Sequence, residues 1–257
     1  HWSNIAHQLG AIIYKNAVNY VAYPDGYTFQ TLATKNQIIT IKRLLKIHID
    51  KDYCLSWCLH GAAATNNHGL VESLIRLGAT NFEDGLQECC YYDHYELAKK
   101  FINYGAKFFD YCLSTACLYN HHRMLYLMIN CGATDFENGL RSAALSGHIE
   151  MLKTMLYYGA TDVNSAMKEA SYYRHFDCVN LLVKYGANNF NDCLVSACHA
   201  SDLDMAELMI NLGATELDMG FTIACHYLQY DMMRKLIAKG ATFCRICNIA
   251  AFLHVVE

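Results

Sequence analysis

The dipeptide Gly-Ala recurs seven times at an unbroken 27-residue spacing: Gly78-Ala79, Gly105-Ala106, Gly132-Ala133, Gly159-Ala160, Gly186-Ala187, Gly213-Ala214 and Gly240-Ala241. A fixed period of this length is the mark of stacked repeats, in which no unit can bury its apolar face except against its neighbours. The spacing therefore predicts a single array over residues 1–257 whose core is a row of small inter-repeat layers. Such an array offers a long surface rather than one closed pocket, so binding is the expected mode of action.

One unit shows why the repeat is helical. In the stretch Asn138 to Gly147, apolar residues fall at Leu140, Ala143 and Ala144, the i, i+3, i+4 pattern of a short helix. Asn138 is placed to cap it, as are Asp84, Ser165 and Asp192 at the same register. Gly147 breaks the helix. A second one begins at His148-Ile149-Glu150 and turns Met151, Leu152, Met155 and Leu156 inward until Gly159 stops it. The fold class predicted is all-α, an α-solenoid of helix-turn-helix units. Glu96, Glu150, Asp177, Asp204 and Asp231 lie in the first turn of the second helices, where the helix dipole favours a negative charge.

The register divides the array into 1–27, an apolar cap or degenerate repeat; 28–57, a divergent repeat followed by a long loop at Ile49 to Trp57; 58–241, seven regular units; and 242–257, a partial repeat. The run Ala250 to Val256 is not a polar cap, which implies that the chain continues or that something covers that end, self-association included.

Net charge of −4, with 20 basic and 24 acidic residues, argues against a nucleic-acid or anionic-membrane binder. No apolar run reaches the roughly 18 residues that span a bilayer. No signal peptide is visible, although a sequence beginning at His1 says little on that point. Of the 13 cysteines, eight fall at two repeat positions. Cys90, Cys117, Cys198 and Cys225 alternate with Ala63, Ala144 and Ser171, while Cys58, Cys112, Cys193 and Cys247 alternate with Gly85, Gly139, Ala166 and Gly220. A cysteine that replaces Ala or Gly is a small buried apolar residue, so reduced thiols and a cytoplasmic location are expected.

Gly-rich phosphate loops, a His-Glu-x-x-His helix and a nucleophile elbow are all missing, and neither enzymatic activity nor a cofactor is expected. Cys244-x-x-Cys247, with His226, Cys225 and His254 near it, is the best approach to a zinc site, but both cysteines sit at ordinary repeat positions.

The string Ala143-Ala144-Leu145-Ser146-Gly147-His148-Ile149-Glu150, followed by Met155-Leu156 and Gly159-Ala160, resembles the ankyrin repeat. The likeness covers residues 58–241 well and 28–48 loosely. It departs in lacking the Thr-Pro opening and in its length, 27 residues against about 33. The shortfall lies where the ordinary repeat makes its β-turn finger, so fingers are expected to be absent or minimal. Phe82, Phe109, Phe136 and Phe190 are expected to fold inward from the shortened loop. The short Asn/Tyr/Ile-rich style of residues 78–86 resembles ankyrin-repeat proteins of giant DNA viruses (mimivirus-like), and less closely the multigene-family proteins of African swine fever virus. That would place the chain in the host cytoplasm or the virion.

The resemblance implies a protein-binding scaffold that uses its first-helix face. The alternatives are a substrate adaptor of a ubiquitin ligase or a structural virion component. It also implies a structural hydrogen-bonding role for His94, His121, His148 and His175. Tyr92, Tyr119, Tyr173 and Tyr227 share one position at the end of the first helix, interrupted by Ser146 and Ala200. Tyrosine is enriched at interface hot spots. With Arg141 and Lys168 these four are the candidate partner-binding residues. The position before the Ala pair, occupied by Glu88, Thr115, Ser142, Glu169, Ser196 and Ile223, is mostly polar, and loss of the finger is expected to expose it.

Overall fold

The computed structural model describes residues 26–46 and 50–242. Among these residues it contains sixteen helices and no strand: α1 Gly26–Thr34, α2 Ile38–Leu44, α3 Lys51–Ala64, α4 His68–Arg76, α5 Phe82–Tyr92, α6 Tyr95–Asn103, α7 Phe109–Tyr119, α8 His122–Asn130, α9 Phe136–Ser146, α10 Ile149–Tyr157, α11 Val163–Tyr172, α12 Phe176–Lys184, α13 Phe190–His199, α14 Leu203–Leu212, α15 Leu217–His226 and α16 Tyr230–Ala238. The fold class is all-α, helix-turn-helix repeats without finger strands among the described residues. The expected terminal pieces, 1–27 and 242–257, lie outside them except for residues 26, 27 and 242, and Cys244 and Cys247 lie outside too.

The chain divides into two compact units, His1–Cys112 with Arg123–Gly132, and Leu113–His122 with Ala133–Glu257. In the first, α1, α3 and α5 pack side by side, and α2, α4 and α6 each pack on the helix before them. In the second, α9, α11, α13 and α15 form the corresponding row, backed by α10, α12, α14 and α16. Each layer between repeats is fully buried. Leu140, Ala143, Ala144, Met151, Leu152 and Met155 supply one layer of the second unit. Small residues set the approach of the two helices. A Cβ on Gly139 would fall 2.5 Å from Met155 Sδ and 2.8 Å from Leu113 Cδ2.

The end of α10 shows how a unit closes. The Ala160 amide donates to Met155 O at 3.1 Å and the Gly159 amide to Leu156 O at 3.2 Å, the two bonds of a Schellman cap. Gly159 sits at φ 105°, which an L side chain rarely adopts. The turn between paired helices also needs a left-handed residue. Gly147 fills it in one unit, but Asn66, Asp93, Asn120, Arg174, Ser201 and Leu228 fill it elsewhere at φ 53–65°.

Three expectations are corrected. The helices start three residues earlier than the capping reading placed them. Asp135 and Asp162 are N-caps and accept the amides of Asn138 and Ser165 at 3.1 and 3.0 Å. Asn81 and Asn189 hold the same place before α5 and α13. An Asp or Asn one turn upstream already offers a capping position, so the helix begins there. Consequently Phe82, Phe109, Phe136 and Phe190 are not loop residues. Each opens a helix, half-buried, with Phe82 5.4 Å from the Tyr104 ring and Phe136 5.5 Å from Tyr158. The loop expected at Ile49 to Trp57 is helical from Lys51. Asp50 caps it through the Tyr53 amide at 2.9 Å, and the extra residues extend α3 because Cys54 and Leu55 are then buried.

Candidate partner-binding face

The first helices end in rings. In the first unit, Tyr91 and Tyr92 meet edge to face at 4.7 Å, and Tyr92 stacks on His94 at 5.8 Å. In the second, Tyr119 stacks on His121 at 6.0 Å, Tyr172 meets Tyr173 edge to face at 5.0 Å, and Tyr227 sits between His199 at 5.6 Å and His226 at 4.9 Å. Tyr92, Tyr119, Tyr173 and Tyr227 remain 49%, 39%, 47% and 54% exposed. Each ring thus rests against a neighbouring ring, in its own repeat or, for Tyr227, also in the one before, and stays partly open to solvent. Arg141 and Lys168 are exposed one helical turn earlier on α9 and α11. Arg141 Nη2 lies 3.8 Å from Glu169 Oε1, whereas Lys168 makes no ion pair among the described residues.

The turn beneath the rings is held by histidine. His94 Nε2 lies 3.2 Å from Ala64 O and His175 Nε2 3.0 Å from Leu145 O, and His148 bonds the carbonyl of Leu118. Each contact reaches back thirty residues to a carbonyl at the end of a first helix, one of the acceptors a helix leaves unpaired. At the next register the histidine is replaced by Asp202, which is buried and accepts the Asp204 and Met205 amides. Arg174 Nε comes to 2.8 Å of Asp202 Oδ2, close in distance but without hydrogen-bond geometry.

The polar position before the Ala pair is not the exposed surface expected. Thr115 and Ser196 are buried, and Glu88, Ser142, Glu169 and Ile223 are half-buried. Neighbouring first helices pair across it: Glu88 Oε1 lies 3.0 Å from His60 Nε2, as Glu169 lies near Arg141. Glu88 and Glu169 reach partners on the preceding first helix, and the Ser196 hydroxyl donates to the Asp192 carbonyl of its own helix at 3.1 Å.

A second set of residues was missed. Glu137 accepts the Thr161 amide and hydroxyl at 2.8 and 2.9 Å and the Asp162 amide at 3.0 Å. Asn164 Oδ1 accepts the Asn188 and Asn189 amides, Asn191 Oδ1 those of Thr215 and Glu216, and Asp218 that of Thr242. These residues occupy the second position of α9, α11, α13 and α15, and they pin the short loop that replaces a finger. The signal was in the sequence: Glu83, Asp110, Glu137, Asn164, Asn191 and Asp218 are all acceptors at 27-residue spacing.

No protein-family model matches the chain, and no curated protein matches it. Among solved structures, the human ASB11 ankyrin repeat domain superposes with a TM-score of 0.54 at 19% identity, covering 72% of this chain and 99% of that domain. The chain has the ankyrin-repeat fold. At that identity the likeness extends to fold alone. No group of three or more His, Cys, Asp or Glu that could hold a metal occurs among the described residues. No helix among them is long and apolar enough to cross a membrane.

Proposed function

We propose that the chain is a protein-binding scaffold whose partner lies on the rings at the ends of the first helices. The single observation carrying this is the repeated half-exposure of Tyr92, Tyr119, Tyr173 and Tyr227, each braced by a neighbouring aromatic ring. Bracing lowers the entropy lost on binding, and the open edge supplies apolar area with a hydroxyl. The Tyr173 and Tyr227 hydroxyls make no hydrogen bond among the described residues. Arg141 and Lys168 add positive charge beside the rings of the second unit.

The short unit further supports placing the chain among the virus-encoded repeat proteins it resembles, acting in host cytoplasm or in the virion. An adaptor or a virion component would use the same face.

The test is affinity capture with quantitative mass spectrometry, comparing wild type with Tyr119→Ala/Tyr173→Ala/Tyr227→Ala. Circular dichroism and melting are expected to be nearly unchanged, and the captured partner to be lost. Undiminished capture by the folded triple variant would move the binding face elsewhere.

A further inference from the structure

Two positions face each other wherever neighbouring first helices meet in a seam. In the second unit, a Cβ on Gly220, the fourth residue of α15, would lie 3.0 Å from the Sγ of Cys198, the ninth residue of α13. Cys193, fourth in α13, likewise meets the side chain of Ser171, ninth in α11. A disulfide has an S–S bond of about 2.05 Å, which puts each Cβ about 3 Å from the partner sulfur. The repeat thus carries the spacing of a disulfide in its seams.

The cysteines of the second unit cannot use it. Cys198 faces Gly220, Cys193 faces Ser171, and by register Cys117 faces Gly139, so no second sulfur stands opposite any of them. Among the described residues, cysteine occupies both sides of one seam only. Cys90 is ninth in α5 and Cys112 is fourth in α7, both within the first unit. Both are fully buried, and their thiols share a hydrogen bond. They are thiols here and not a disulfide.

We propose that Cys90 and Cys112 form a redox pair, which a peroxide closes into a disulfide that staples α5 to the start of α7. One sulfur attacks a peroxide oxygen and breaks the O–O bond, giving a sulfenic acid; the hydroxide released takes the thiol proton and leaves as water. The second sulfur then attacks the sulfenic sulfur and breaks its S–O bond, and a second water leaves with the second proton. The two thiols together lose two electrons, and the peroxide is reduced to water. Neither sulfur is exposed, so peroxide reaches them only when the seam opens, and burial then shields the finished bond from reductants. The staple forms slowly and lasts. The inference is independent of where a partner binds.

The experiment holds the reduced 257-residue protein in excess hydrogen peroxide for about a day. Remaining thiols are blocked, and cross-linked peptides are mapped by mass spectrometry without reduction. A Cys90–Cys112 cross-link is expected. The thermal midpoint should exceed that of identically treated Cys112→Ala by about 5 °C more than before treatment, and dithiothreitol should remove the difference. Alanine already stands at that register as Ala166, so Cys112→Ala is expected to fold. Cys89→Ala is expected to keep the cross-link, which separates Cys90 from its neighbour. Gly220→Cys is expected to gain a second cross-link, to Cys198. A native pair still reduced overturns the proposal whether or not Gly220→Cys cross-links. So does a cross-link that vanishes in Cys89→Ala, or one that leaves the midpoint where it was.

Discussion

Glu137 holds the loop of the following repeat, its carboxylate 2.8 Å from the Thr161 amide and 3.0 Å from that of Asp162. Burial alone would raise its pKa. The hydrogen bonds from Thr161 and Asp162 outweigh that and hold it below the usual glutamate range. A depressed carboxylate pKa contributes stability that is present above the unfolded value and is lost as pH falls through the folded one. Glu137→Ala should cost about 1–2 kcal/mol at pH 7, the scale of lost charge-assisted bonds. Glu137→Gln should cost less. Urea titrations at pH 7 and pH 3.5 check this: equal losses at both would show that the carboxylate is not the holding group.

His148 acts in the same direction but in a higher pH window. Burial lowers its pKa most; the bond to the Leu118 carbonyl raises it in part, and the charges of His175, His122 and His121 lower it further. The unfolded chain, with a histidine pKa of about 6.5, then takes up the proton first. Stability should fall as pH drops from about 6.5 towards the folded value. His148→Asn should flatten that part of the curve, read from melting midpoints between pH 7.5 and 5. An unchanged slope would remove His148 as its source.

Leu152, on α10, is fully buried. Leu152→Ala should destabilise by about 2–4 kcal/mol. Because repeats couple mainly to their neighbours, hydrogen exchange should rise first in α9 to α12. A chemical-denaturation midpoint matching wild type would place Leu152 outside the core.

Leu228 occupies the left-handed turn at φ 54° with its side chain exposed. Leu228→Gly relieves that backbone and should stabilise by about 0.5–1 kcal/mol. Arg174 shares the conformation at φ 65°, but Arg174→Gly also strips Asp202 of its cation and should be net destabilising. Parallel thermal melts would separate the two, and stabilisation by both would make the Asp202 contact energetically idle.

Burial pushes the Cys117 thiol up to about 12, and burial with the nearby Asp177 takes Cys178 to about 11. A thiol kept protonated and buried is a poor nucleophile. At pH 8 iodoacetamide should leave both unmodified in the native protein and should react first at half-exposed Cys131. Mass mapping that finds Cys117 labelled before Cys131 would contradict this.

Most of the local architecture follows from the sequence alone. The 27-residue Gly-Ala period, the inward Leu140, Ala143, Met151, Leu152 and Met155, and the replacement of Ala or Gly by Cys are all readable there. Periodicity reports which side of a helix meets a neighbour, and that is what it reports best. The structural role of the row of histidines was implied by the resemblance to the ankyrin repeat. Tertiary structure decided the rest. Whether Phe136 opens a helix or hangs from a loop depends on Asp135 taking the cap. Whether Ser196 and Thr115 face water depends on how closely neighbouring first helices approach, which buries them in the seam. The target of Glu137 lies 24 and 25 residues ahead in the next unit, at a distance set by the stacking of repeats and not by local spacing.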